Sequence, residues 1–173
     1  MNPALLNQLV ARFETLEPAL NAADAATGDG DHGTTMLKGL RAAAAEPDKA
    51  STAYRIAAGG ASGTLFSLLI AALEQAETEP LSNSLAKAAA KIAAIGGASV
   101  GDKTMLDALV PASRAPDARA AAEAARSGLE ATRSLAARRG RARHVEGAGV
   151  GHLDAGAMSV AEILALFADQ PGT

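Results

Sequence analysis

The chain has no cysteine and no tryptophan, and aromatic residues make up only 2% of its 173 positions. Without cysteine there can be no disulfide and no thiolate metal site. The scarcity of aromatic and β-branched runs argues against strands. Long apolar runs are missing too. The most apolar stretch, LFSLLIAAL at 65–73, falls far short of the ~20 residues that span a bilayer. No excess of basic charge exists either, since the net charge is −3 and the pI is near 5.6, so a broad nucleic-acid surface is not expected. The basic segment ARRGRARH at 137–144 is the local exception and reads by default as a solvated loop. The N-terminal stretch carries Glu14 and Glu17 and lacks the apolar region of a signal peptide. These absences predict a soluble, cytoplasmic protein with no nucleic-acid or membrane partner.

What is abundant is alanine and leucine, the strongest helix formers. Leu6, Leu9, Val10, Phe13 and Leu16 keep helical spacing and predict a first helix over 3–16. Further helices are predicted from Thr34 to Ala45, from Ser51 to Gly59, and through the apolar run after Gly63. Others open at Pro80, near Thr104, at Pro116 (reaching about Ala137) and at Ala157. The prediction is a single all-α domain over 1–173 with about eight helices. Three glycine-rich connections, at 28–33, 59–63 and 96–101, each lead into a helix start. Helix N-termini present unpaired N–H groups and a positive dipole end, which suit anions.

The segment DAATGDGDHGTTM, residues 24–36, gathers Asp24, Asp29 and Asp31 with His32 among glycines. Its GDGDHG formally fits G-x-G-x-x-G, but no strand precedes it and aspartates would repel a pyrophosphate. An EF-hand starting at Asp29 would need glutamate where Leu40 stands, and one starting at Asp24 would need it at Thr35. No P-loop motif occurs. Three carboxylates in a glycine loop make a hard, all-oxygen site suited to Mg²⁺ shared with phosphate oxygens. The alternative is that Asp29 and Asp31 merely cap the helix that follows. Lys103 stays open between a phosphate-facing charge and a solvated residue at a helix start. Met36, Met105 and Met158 read as packing residues, and His144 and His152 as solvated loop residues.

Four ordered blocks, D-x4-GDGDHGTTM, GGASGTL, GDKTMLDALVPA and GRA…GHLDAGAMS, resemble the DhaL family over about residues 3–168. That family comprises the nucleotide-binding subunit of phosphotransferase-dependent dihydroxyacetone kinase and the matching domain of ATP-dependent dihydroxyacetone kinases. The resemblance implies an antiparallel barrel of eight amphipathic helices with a nucleotide, ADP or ATP, at one end. It implies that Asp24, Asp29 and Asp31 bind two Mg²⁺ ions bridging the phosphates, with His32 and Thr35 beside them. Gly60, Ala61, Ser62 and Gly63 resemble the phosphate cradle. Leu65, Gly101, Thr104 and Met105 match positions around base and ribose, and Asp154 and Gly156 match the loop closing over the nucleotide. Arg141 matches the arginine expected to stabilise the transferring phosphoryl group.

The implied partners are a dihydroxyacetone-binding (DhaK-like) kinase subunit, a phosphohistidine (DhaM-like) donor and, further, a second copy of the chain. A regulatory nucleotide-binding module and a kinase subunit for another small ketose or polyol are the competing readings. The last block departs from the family, with Arg143 and His144 where relatives read serine and an aromatic, and Ala155 where they have proline.

Overall fold

Asn2 and Pro3 begin the first helix, α1 (Pro3–Ala25). The Asn2 side chain accepts the Ala4 N–H at 2.8 Å, and proline in the first turn forfeits no intrahelical bond. In this computed structural model residues 1–26, 28–139 and 146–171 are described. The helix continues past Leu16 and straight through Pro18, although proline inside a helix costs about 3 kcal/mol. Tertiary contacts outweigh that cost. Leu20 is fully buried, and Asn21 exchanges two hydrogen bonds with Thr34, at 3.0 and 3.2 Å. The Thr34 hydroxyl in turn donates to Glu17 at 2.7 Å.

Seven further helices follow: α2 (His32–Ala45), α3 (Ala50–Ala58), α4 (Gly60–Gln75), α5 (Leu81–Gly96), α6 (Leu106–Ala112), α7 (Ala118–Ala131) and α8 (Ala155–Ala168). Each packs on its successor, and α1 packs on α8 to close the ring. The expected all-α barrel of eight helices is borne out, and no strand occurs among the described residues. Nor is any described helix long and apolar enough to cross a membrane. Leu6, Leu9, Phe13, Met36, Leu40 and Ile70 form the centre of the core with no exposed surface.

The helix predicted to reach Ala137 ends at Ala131 and passes into a 3₁₀ turn at Thr132–Ser134. Beyond it the backbone finds other partners: Ala137 N–H donates to Ala148 O and Gly151 N–H to Arg133 O, both at 2.8 Å. These bonds lay segment 133–139 along segment 148–151.

Small residues let the helices approach closely. A Cβ at Gly128 of α7 would lie 2.0 Å from the Asp107 carbonyl oxygen of α6. Gly128→Ala should therefore destabilise by at least about 2 kcal/mol, as overpacking against backbone does. Thermal unfolding would read this as a midpoint lowered by roughly 4–8 °C; an unchanged midpoint would contradict the close approach.

Alternation of helix direction sorts the loops between two ends of the barrel. One end collects the C-terminus of α1 and the N-termini of α2, α4, α6 and α8 around a cavity of about 450 Å³. The opposite end holds a second cavity of about 510 Å³, bordered by Met1, Leu5, Leu73, Leu81, Pro116 and Phe167.

Candidate functional site

Asp24 ends α1 and folds the following loop back onto itself. Its Oδ2 accepts the N–H groups of Gly30 at 2.8 Å and Asp31 at 3.1 Å. Gly30 supplies the left-handed backbone, φ +78°, that this reversal requires. One carboxylate oxygen from each of Asp24, Asp29 and Asp31 then lies within 4.8 Å of the others. Asp31 precedes α2 directly, yet its side chain makes no capping bond. Helix capping therefore does not account for it, and a hard divalent cation fits the donor set.

Beside these carboxylates the cavity is lined by the first turns of α4 and α8 and by the apolar side chains of Leu65, Phe66, Ile92, Met105 and Leu106. Ser62 stands in the first turn of α4. Its Oγ is buried and makes no hydrogen bond of regular geometry, with the Tyr54 hydroxyl as its neighbour. An orphaned hydroxyl at a helix N-terminus suits an anionic oxygen. Gly59 and Gly60 have positive φ and open space where a Cβ would stand.

His32 opens α2, with Nε2 2.9 Å from Ser159 Oγ of α8 and its ring centroid 5.6 Å from that of Phe66. Burial holds its pKa below the usual histidine value, against the opposing pull of Asp24 and Asp31.

The loop 99–107 ties the remaining wall together. Asp107 accepts the N–H groups of Gly101 at 2.5 Å and Thr104 at 2.8 Å. Asp102 accepts Ser99 N–H at 3.0 Å and Arg139 Nε at 3.3 Å. Hydrogen bonding to Ser99, joined by Arg139 and Arg138, keeps the Asp102 carboxyl below the ordinary carboxylate range. Asp154 caps α8 through Ala157 N–H at 2.7 Å. Burial nevertheless pushes its carboxyl up to about 7.

Residues 26–169 match the DAK2 domain. The chain belongs to the DAK2 domain family. It is 34% identical to the D-erythrulose kinase of Mycolicibacterium smegmatis, an alignment covering 94% of the chain and 35% of that relative. Its identity to the dihydroxyacetone kinase of Citrobacter freundii is 32%, over 95% and 34% of the two chains. The crystal structure of the C. freundii dihydroxyacetone kinase in complex with AMP-PNP and Mg²⁺ superposes with a TM-score of 0.76 at 26% identity. That superposition covers 98% of this chain and 34% of the other. This DAK2 domain thus spans about a third of the length of the relatives it matches.

Of the residues expected at the site, Asp24, Asp29, His32, Ala61, Ser62, Leu65, Thr104, Met105, Asp154 and Gly156 line the cavity of the DAK2 domain. Asp31 joins through the carboxylate cluster. Thr35, Gly60, Gly63 and Gly101 do not line it. Gly63 has a packing reason, since a Cβ there would lie 2.9 Å from the Arg55 carbonyl oxygen of α3. Arg141 and His144 lie outside the described residues. Lys103 fits neither reading offered for it, being buried and donating to backbone carbonyls. Phe66, Ile92 and Arg139 line the cavity without having been foreseen. The first two were legible only as core residues, and Arg139 was hidden in a basic run that reads as solvated surface.

Proposed function

We propose that this domain holds ADP or ATP with two Mg²⁺ ions and acts as the phosphoryl-transfer part of a dihydroxyacetone-type kinase. The observation that carries the reading is the convergence of three carboxylates at a cavity that apolar side chains also line. Asp24, Asp29 and Asp31 would hold the ions, which when bound neutralise phosphate charge and so favour transfer. The α4 N-terminus, with Ala61 and Ser62, would bind phosphate oxygens through backbone N–H groups and the orphaned hydroxyl. Leu65, Ile92, Met105 and Leu106 would receive the base, excluding water from one face. Arg141, by the family resemblance, would meet the charge developing on the phosphoryl group.

Such chemistry needs positioning and charge neutralisation more than a protein nucleophile. The acceptor would be a short ketose, as the names of the relatives suggest, held on a partner subunit or domain. A phosphohistidine protein would be the donor where ADP is retained as a coenzyme.

Native mass spectrometry of the purified protein with ADP and magnesium tests the first part. A complex of one nucleotide with two metal ions is expected; absence of any nucleotide complex would refute the reading. The chain alone, given ATP and dihydroxyacetone, should form no sugar phosphate above the uncatalysed background. Turnover without a partner would overturn the division of labour.

A further inference from the structure

Buried lysines are uncommon, and lysines with left-handed backbone are uncommon too. Lys103 combines both features, being 3% exposed with φ +60°. Withdrawing an ammonium from water is costly, and the left-handed backbone adds strain. Burial accordingly holds its pKa below the usual lysine value, against the pull of Asp154 and Asp107. Strain of this kind persists where the surroundings over-determine it.

Those surroundings are two backbone carbonyls. The Lys103 ammonium donates to Thr132 O at 2.6 Å and to His152 O at 2.5 Å. Thr132 follows the end of α7, and its hydroxyl accepts the Asp154 N–H at 3.0 Å. His152 stands two residues before Asp154, the residue that caps α8. One ammonium therefore joins the 99–107 loop, the end of α7 and the approach to α8. Met105 and Gly156, on two of those segments, face each other across the cavity wall, a Cβ at Gly156 falling 3.3 Å from that of Met105. Lys103 itself lines the cavity beside them.

We propose that Lys103 is a positioning residue for the nucleoside half of the cavity: its ammonium sets the spacing between Met105 and the Asp154–Gly156 segment. The inference rests on the nucleotide reading given above. A lysine kept for stability alone could be exchanged for an apolar residue of similar length at little cost, because buried charges are weak stabilisers. A positioning lysine could not, since the wall would settle at a different spacing.

Titration calorimetry of three proteins, the native chain, Lys103→Met and Lys103→Gly, separates these roles. Glycine keeps the left-handed turn without strain while removing the ammonium. Two probes are used, magnesium ADP and magnesium tripolyphosphate, the second reaching only the carboxylate and α4 half. Both variants should bind magnesium ADP about tenfold more weakly or worse, a change of about 1.4 kcal/mol. Tripolyphosphate affinity should stay within about twofold of native.

Unchanged ADP affinity in both variants overturns the proposal. So does equal weakening of the two probes, loss of native circular dichroism in both variants, or failure of the native chain to bind tripolyphosphate while it binds ADP. If the native chain binds no magnesium ADP at all, the nucleotide reading itself falls.

Discussion

Replacing Asp29 with alanine is expected to weaken magnesium ADP binding by about two orders of magnitude. Hard cations gain much of their site energy from carboxylate charge, and a cluster of three loses a third of it with one substitution. Asp29 is exposed, and it shares the cluster with two other carboxylates within 4.8 Å. In metal-free protein the deletion also relieves repulsion within the cluster. Asp24 is the contrasting position, because its Oδ2 also holds the Gly30 and Asp31 N–H groups. Asp24→Asn retains an acceptor for those bonds and should lose affinity with the loop intact, whereas Asp24→Ala should lose both. Calorimetry with magnesium ADP and a melting curve for each variant decide the matter. Near-native affinity in Asp29→Ala would remove the metal assignment.

Asp154→Asn is expected to stabilise the metal-free protein at pH 8 by about 2–3 kcal/mol, and not at all near pH 4. Two effects oppose each other at this side chain. The α8 N-terminus and its bond from Ala157 N–H favour the carboxylate, while burial disfavours it and wins, with Asp107 adding to the rise. The folded-state pKa of about 7 lies above the unfolded value of about 3.9. Below pH 4 the carboxyl is protonated in both states and costs nothing. As pH rises from about 4 to about 7 the unfolded chain ionises at no cost while the folded chain keeps the buried carboxyl protonated, and above 7 both are ionised and the loss is complete. The native protein therefore loses stability across this window. Every tenfold difference in proton affinity between the two states is worth about 1.4 kcal/mol, and partial exposure of the residue reduces the total to the range given. Asparagine caps helices as well as aspartate does, so the cap survives. Melting curves of the two proteins that run parallel from pH 4 to pH 8 would contradict the burial argument.

The carboxylate loop was legible because its chemistry is local. Three aspartates and the glycines that turn the chain sit within a few positions of one another, and proximity in sequence becomes proximity in space. Asp154 and Gly156, far along the chain, could be placed near the loop only through the family resemblance, and they do line the same cavity. Helix periodicity likewise disclosed the eight-helix count. What stayed hidden depends on partners distant in sequence. Helical spacing reads only as far as Leu16, and the burial of Leu20 with the exchange between Asn21 and Thr34 carries α1 on through Pro18. Lys103 reads as either a phosphate-facing charge or a solvated residue at a helix start, and only the carbonyls of Thr132 and His152 make it an interior one. Arg139 reads as part of a solvated basic run until Asp102, 37 positions earlier, accepts from it.

The sorting of loops between the two ends has a consequence for how the domain can be joined to others. Met1, Asn2, Gln170 and Pro171 all border the cavity remote from the carboxylates, and the Gln170 side chain donates to Gln8 at 2.8 Å. Both ends of the described chain therefore emerge side by side on the face away from the site. A tether attached at either terminus leaves the mouth of the carboxylate-lined cavity clear, which suits a unit that makes up a third of longer relatives. The same adjacency makes circular permutation practicable, with a short linker between the old termini and new ones opened in a surface loop at the far end.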